Sequence, residues 1–506
     1  MGELSTRFDG TARSTGGDLK QKSVRSAVVA VCAQSAQFLL QMATTMLLAR
    51  LLSVEDFGLQ GMAVVLISFL RVFTDGGLGA ATIQRLEVTQ EQISTLFWIN
   101  VAVGVALAAS SVLLAPILVA FYGEPRLYGI IVILGVAFIF NGMAAQHRAM
   151  IVRGMRFVTL AKIDVLCLAI SSAVGVVVAL LGWHYWALVA MSVVNSMAGV
   201  AGVWLAHPWM PGPPRRKCGV LSMLRFGWMS TCNNFLVFLA WNADNMLVGR
   251  YWGADALGVY GRAYQLATMP IHQLNGAISG VAFSALSRIQ NDDERLARSF
   301  LRGFSVLVSM TVPVTVICAM FADEIIRVLL GDKWMEAAPI FRLLTLTALA
   351  FALVNPLSWL VISTGRIGRG LSLTAATTPL VILGIVLGLS HGPKGVALGY
   401  SLALVLLIIP IAAWCKHGTK ITWADLRKAV EKPLLAGVVV SAVGLIVRIT
   451  LAEILPPLPY LLIGSGLVLG VYAWVLLIAM GEKQVYLDLA NQLFRGNRAD
   501  TQANAN

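Results

Sequence analysis

Charge is scarce in this chain. Only 12% of its 506 residues are Asp, Glu, Lys or Arg, while 58% are hydrophobic; a soluble domain carries about 25% charged residues. Mean hydropathy is +0.78, so too little polar surface exists to cover a water-soluble fold. Cysteine is sparse too. Cys32, Cys167, Cys218, Cys232, Cys318 and Cys415 form no CxxC, and Cys415 with His417 has no further ligands beside it. Neither a metal site nor a disulfide framework is indicated. A phosphate loop is missing: "GRIGRG" at 365–370 has no Walker lysine. No catalytic triad stands out, so ATP hydrolysis and glycosyl transfer are not expected. The chain reads as a non-enzyme without a cofactor. The period-2 alternation of barrel strands is absent as well. The first apolar run continues to about Leu52, too long for the core of a cleaved signal peptide.

What the chain has is apolar length. Runs of about 20 residues recur throughout, each able to cross a hydrocarbon core of about 30 Å as a helix. Fourteen spans are expected, near 26–48, 59–80, 94–118, 128–146, 159–181, 185–206, 224–248, 263–287, 303–322, 337–362, 370–389, 396–415, 433–452 and 458–480. The fold class is an all-α polytopic membrane protein. With the N-terminus in the cytoplasm, 28 of the 38 Lys and Arg fall in cytoplasmic segments and 8 outside, while Arg71 and Arg342 lie within spans. This is the positive-inside bias, and an even span count leaves both termini cytoplasmic. The net charge of +13 is spread loop by loop, so no nucleic-acid partner is expected.

An internal repeat organises these spans. Residues 46–66, "MLLARLLSVEDFGLQGMAVVL", align without a gap on 246–266, "MLVGRYWGADALGVYGRAYQL". Seven positions are identical, among them Arg50/Arg250, Gly58/Gly258 and Gly61/Gly261, and Glu55 faces Asp255. An arginine and two glycines in one connector are not what apolar bias alone supplies. The offset is six spans, so the copies share one orientation and form parallel repeats, a plan found in secondary transporters. The expected architecture is a cytoplasmic tail 1–25, an N-lobe 26–206, a cytoplasmic linker 207–223, a C-lobe 224–415, two further helices within 416–480, and a cytoplasmic tail 481–506. Each connector reads as a turn at Ser53 or Gly253 followed by a helix start. Glu55 or Asp255 sits favourably at the N-terminal dipole. Gly58 and Gly61, like Gly258 and Gly261, share one helix side and permit close packing. A purely structural role for all of them is the favoured reading.

The same residues carry a resemblance. "LARLLSVEDFGLQGMA" followed by "DGGLGAATIQ" resembles the opening of bacterial polysaccharide flippases, of the O-antigen flippase type. These belong to the multidrug/oligosaccharidyl-lipid/polysaccharide exporter superfamily. "LLGDKWMEAAPIFRLL" at 329–344 is similar to a second signature of that family. Fourteen spans match its colanic-acid and succinoglycan exporters. The resemblance implies two lobes in a V, a central cavity lined by spans 1, 2, 7 and 8, and alternating access in the bacterial inner membrane. It implies an undecaprenyl-pyrophosphate-linked oligosaccharide as cargo, for exopolysaccharide or lipopolysaccharide biosynthesis. Membrane lipids, with a polymerase and a chain-length regulator of the same pathway, are the implied partners.

Ionisable residues inside spans are costly and are therefore candidate site residues. Arg71 and Asp75 lie four apart on one face of span 2. Either Arg71 meets the pyrophosphate, which suits its forked donors, or the two only neutralise each other. Span 1 carries a stripe of Gln34, Gln37 and Gln41, continued by Thr44 and Thr45, as a wall facing sugars or as glue between helices. Asn234 and Asp244 play the comparable part in span 7. Arg262 lies at the outer mouth, for late contact with the cargo or for solvation. His272, near mid-membrane in span 8, is a packing residue or a proton-responsive one. Pro356 in span 10 is a candidate hinge. Asp164 and Arg342 are expected to snorkel to the interface. Arg148, Arg153, Arg156, Arg215, Arg216 and Lys217 read as basic cytoplasmic loops, set by topology and touching anionic headgroups; the less favoured reading is that they draw the anionic lipid-linked cargo towards the entrance.

A second class is a cation-coupled multidrug antiporter of the same superfamily. It needs a buried acid for H+ or Na+, and Asp75 or Asp244 would serve. A membrane-embedded polymerase or ligase is disfavoured because every loop is short.

Overall fold

The computed structural model describes residues 16–74, 82, 89–214, 221–289, 292–363, 367–451 and 454–482. Among the described residues every regular element is a helix, the form that satisfies its own backbone groups in lipid. The helices are α1 (Gly16–Leu51), α2 (Val54–Thr74), α3 (Gln90–Tyr122), α4 (Leu127–Arg153), α5 (Phe157–Leu180), α6 (Trp186–Ala206) and α7 (Leu221–Arg288). They continue as α8 (Asp293–Met320), α9 (Ala322–Leu329), α10 (Ala337–Ser363), α11 (Ile367–Leu389), α12 (Gly392–Lys416), α13 (Trp423–Leu451) and α14 (Pro457–Trp474). Eleven of them are long and apolar enough to cross a membrane. The remaining three expected spans fall on α1 and on the two parts of α7. The chain divides into two compact units, Met1–Val259 and Tyr260–Asn506. The expected C-terminal tail lies almost wholly outside the described residues.

In the first unit, α3 with α4 and α5 with α6 form packed pairs, and α1 lies along α5. The first connector is shorter than its polar sequence implies. Helix α1 ends at Leu51 and α2 begins at Val54. The acid that closes the turn is Asp56, not Glu55. Its Oδ2 accepts from the Ser53 backbone N–H at 2.9 Å and from Ser53 Oγ at 2.7 Å. Ser53 Oγ in turn accepts from the Asp56 N–H at 3.2 Å. Glu55 instead pairs with Arg126 at 2.5 Å across an exposed surface. Asp56→Ala is therefore expected to lower stability by about 1–2 kcal/mol through loss of the cap. Glu55→Ala should cost under about 1 kcal/mol, as exposed pairs do. Thermal unfolding of the two purified variants in detergent checks the order.

The second connector is almost entirely helix. The stretch 249–266 contains one break, at Gly253, with φ 81° and ψ −174°. Only glycine takes that conformation without strain. Position 256 is alanine where the first copy has Asp56, so the pairing of Ser53 with Asp56 is not repeated in the second turn, which bends at the glycine.

The two connectors meet each other inside the first unit. A methyl group added at Gly58 would come within 1.8 Å of the Ala254 carbonyl oxygen, and one at Gly258 within 2.2 Å of the Val54 carbonyl oxygen. Val54 and Ala254 are themselves repeat equivalents, as are Gly58 and Gly258. The contact is reciprocal, the signature of a local two-fold relation. Gly61 also faces the second connector, at the side-chain end of Leu257, whereas Gly261 has open space around it.

The segment 207–214 is strapped to α3 and α4. Trp98 Nε1 donates to the Gly212 carbonyl at 2.9 Å, and Trp209 Nε1 to Gln90 Oε1 at 3.1 Å. His147 is fully buried, stacks on Trp204 at 4.4 Å, and sits 3.0 Å from the Trp209 carbonyl. Burial, and then the nearby Arg156 charge, hold His207 below its ordinary value. A released strap therefore binds a proton before a docked one does. Its docking is complete above about pH 6.5 and weakens as pH falls below that value. Hydrogen exchange of the Trp209, Met210 and Gly212 amides, corrected for intrinsic rates, should rise between pH 7.5 and 5.5. His207→Gln should weaken that dependence.

In the second unit α8 packs against α10 and α13, and α11 and α12 form a close pair beside α10. Asp323, in the short helix α9, joins three elements. Its Oδ2 accepts from Arg342 Nη2 at 2.7 Å and from Arg448 Nη2 at 3.2 Å. Arg342 Nε also donates to the Ala319 carbonyl at 3.1 Å. Arg342 thus ties α10 to the end of α8 and to Asp323. Phe321 packs edge-on against Tyr460 of α14 at 5.3 Å, and Trp334 of the "LLGDKW" signature is fully buried.

Candidate functional site

The capped start of α2 sets its phase and carries Arg71 into its last turn. Next to it, α3 and α4 approach so closely that a methyl at Gly142 would lie 2.5 Å from the Asn100 carbonyl oxygen. That approach brings Asn100 of α3 and Asn141 of α4 to the same place. Helix α4 then continues past the expected span end at 146 to Arg153, which keeps Arg148 on the helix. Arg71, Asn100, Asn141 and Arg148, with Val103, Gly142 and Ala145, line a cavity of about 420 Å3 inside the first unit.

Each polar side chain in this cavity carries N–H donors, and the two asparagines carry an acceptor oxygen as well. Asn100 is 8% exposed, and its Nδ2 has no hydrogen-bond partner. Leaving a buried donor unmet costs roughly 1–3 kcal/mol, which an acceptor entering the cavity would recover. Arg148 Nη2 lies 2.6 Å from both carboxylate oxygens of Asp164. Asp164 is therefore the counter-ion of Arg148 and not an interfacial residue on its own. Two guanidinium groups and two amides converging in one cavity suit an oxyanion, since forked N–H donors match phosphate and carboxylate oxygens.

The other expected site residues are placed separately. Asp75 lies outside the described residues, as does the Asn234 side chain. Gln34 and Gln41 are exposed, and Gln37 is half-buried. Thr44, at the end of that stripe, has its Oγ1 2.8 Å from the Leu40 carbonyl oxygen and 2.9 Å from Ser172 Oγ of α5. Its role is helix–helix contact, not a cavity wall. Asp244 is 1% exposed and accepts from the Asn245 N–H at 2.8 Å. In the second unit, Arg262 donates to Gln265 Oε1 at 2.5 Å. His272 is exposed with its ring against Phe351 at 6.1 Å. Helix α10 runs through Pro356 without interruption. Arg153 and Arg156, read as loop cations, donate to the carbonyls of Thr82 at 2.7 Å and Ala206 at 3.1 Å.

Asn100 and Asn141 escaped the reading of the sequence, and Arg148 was read there only as a cation of a cytoplasmic loop. The first two carried a usable signal, as amides inside strongly apolar runs. Arg148 carried none, because hydropathy falls off before the helix does.

Comparison with known proteins follows the same lines. Over 368 residues the chain is 27% identical to the lipopolysaccharide biosynthesis protein WzxC of Escherichia coli, covering 71% of this chain and 74% of that one. It is 24% identical over 365 residues to the succinoglycan biosynthesis transport protein ExoT of Rhizobium meliloti, covering 71% and 73%. Its fold matches a solved structure of the lipid II flippase MurJ in an inward closed conformation with a TM-score of 0.72. That match spans 92% of this chain and all of the other at 15% identity, a likeness of fold alone. The family model described as polysaccharide biosynthesis protein matches residues 47–339, and the chain belongs to that family.

Proposed function

We propose that this protein is a flippase. Its cargo is an undecaprenyl-pyrophosphate-linked oligosaccharide repeat unit, moved from the cytoplasmic to the periplasmic leaflet of a bacterial inner membrane by alternating access. The product feeds exopolysaccharide or lipopolysaccharide assembly. The observation that carries this reading is the donor-lined cavity of Arg71, Arg148, Asn100 and Asn141 in a chain of the polysaccharide biosynthesis family. A pyrophosphate presents oxyanions to those donors; Arg71 supplies positive charge, while Arg148, already paired with Asp164, adds N–H donors. The chain moves its cargo without covalent chemistry. The surplus of Lys and Arg in alternate loops supports cytoplasmic termini. A polymerase and a chain-length regulator acting after translocation are its functional partners.

The antiporter reading is weaker, because the relatives WzxC and ExoT are named for polysaccharide pathways. One observation keeps ion coupling in view: Asp244 is buried in a span, as a carboxylate that exchanges H+ or Na+ would be. Deletion of the gene tests the main reading. Lipid-linked repeat units should accumulate in the cytoplasmic leaflet while drug sensitivity stays unchanged. Normal export without accumulation would sink it.

A further inference from the structure

A second cavity lies in the second unit, along the seam of α11 and α12. A methyl at Gly388 would meet the Gly395 carbonyl oxygen at 2.1 Å, and one at Gly399 the Gly384 carbonyl oxygen at 2.1 Å. The helices therefore touch backbone to backbone, and nothing fills the seam from within. Leucines stand along both sides of it. The result is an open furrow of about 750 Å3 between Leu380 and Leu387 of α11 and Leu398 and Leu406 of α12, floored by Leu343 of α10. Leu387 and Leu406 are 69% and 74% exposed.

The furrow is apolar along its length and cationic at one end. His391 and Lys394 line it at the turn between the two helices. Lys394 is exposed and forms no ion pair among the described residues, and His391 Nδ1 sits 3.0 Å from Ser390 Oγ. From Lys394 the lining runs to Leu406, about 18 Å at about 1.5 Å per residue. That is close to half of a hydrocarbon core of about 30 Å, the depth one leaflet's acyl chain occupies. A polyprenyl tail of the proposed cargo is several times longer.

We propose that this furrow binds one anionic phospholipid, its phosphate on Lys394 and His391 and one acyl chain against the leucines. Basic residues at the end of an interhelical groove recognise lipid phosphates by charge, and the glycine contact makes the groove deep enough to hold a chain. The site is separate from the Arg71 cavity and stands without the flippase reading.

Native mass spectrometry of the full chain, released from detergent after titration with single lipids, tests this. Phosphatidylglycerol should bind at least about ten-fold more tightly than phosphatidylcholine at one site. Lys394→Ala should remove that preference and lower the count of tightly held phosphatidylglycerol by one, while Lys394→Arg keeps it. Leu398→Trp, which fills the furrow but retains the cation, should also remove the tight lipid. Equal binding of the two lipids, an unchanged count in Lys394→Ala, or capture of undecaprenyl phosphate in place of phosphatidylglycerol overturns the proposal. Circular dichroism of each variant separates loss of the lipid from loss of the fold.

Discussion

Gly58→Leu and Gly258→Leu should each reduce the amount of folded protein in the membrane several-fold, with export falling in step. Added methylenes in a packed core ordinarily cost about 1–3 kcal/mol, because side chains or backbone must shift. Here the atoms in the way are the Ala254 and Val54 carbonyl oxygens, 1.8 and 2.2 Å from the added carbon. They belong to helix starts and cannot rotate aside. A destabilisation of a few kcal/mol is enough to change abundance several-fold in cells. The reciprocal geometry predicts that the two variants behave alike. Gly261→Ala is the contrast. It alters a position identical in both copies, yet no atom lies within 4 Å of the added methyl, so stability should be unchanged or slightly raised. Quantifying membrane-inserted protein for the three variants checks this. Equal levels for Gly58→Leu and Gly261→Ala would mean the connectors do not hold each other as described.

The second large effect concerns Arg71 and Arg148. Hydrogen bonds to charged groups contribute about 1.5–3 kcal/mol each, which corresponds to roughly ten- to hundred-fold in binding. Arg71→Ala should therefore lower export by at least about ten-fold per unit of membrane protein. Arg71→Lys keeps the charge but loses the fork and should recover only part of it. Arg148→Ala also leaves Asp164 without its counter-ion, so it should lower both export and stability. Asp164→Asn separates the two effects. It releases Arg148 from the bidentate pair at 2.6 Å and should leave the cavity more positive, with substrate retained longer rather than lost. Export unaffected by Arg71→Ala, with normal protein levels, removes the cavity from the transport path.

Much of the architecture was legible from residues 1 to 506 alone, because lipid imposes one rule on every span: about 20 apolar residues with satisfied backbone. The repeat was legible through Arg50/Arg250 and Gly58/Gly258, residues that apolar bias does not place. What stayed hidden depends on where helices end. Hydropathy marks the apolar part of α4 and stops near 146, whereas the helix continues to Arg153; Arg148 therefore looked like a loop cation. The turn at Ser53 and the acid at Glu55 in the first turn of α2 were legible, but the pairing of Ser53 with Asp56 was not, because it depends on side-chain geometry. The turn expected at Gly253 is where the second connector breaks, and the polar residues around it are helical. The convergence of Arg71 with Asn100, Asn141 and Arg148 is a matter of how α2, α3 and α4 pack. No spacing along the chain encodes it.

The central claim is that this chain carries a lipid-linked oligosaccharide across a bilayer through the cavity at Arg71 and Arg148. Purified protein in liposomes loaded with an undecaprenyl-pyrophosphate-linked oligosaccharide tests it directly, by following how fast the sugar becomes reachable to a glycosidase added outside. The account predicts protein-dependent translocation that Arg71→Ala slows by at least about ten-fold. Translocation no faster than in empty liposomes, or equally fast in Arg71→Ala, contradicts it.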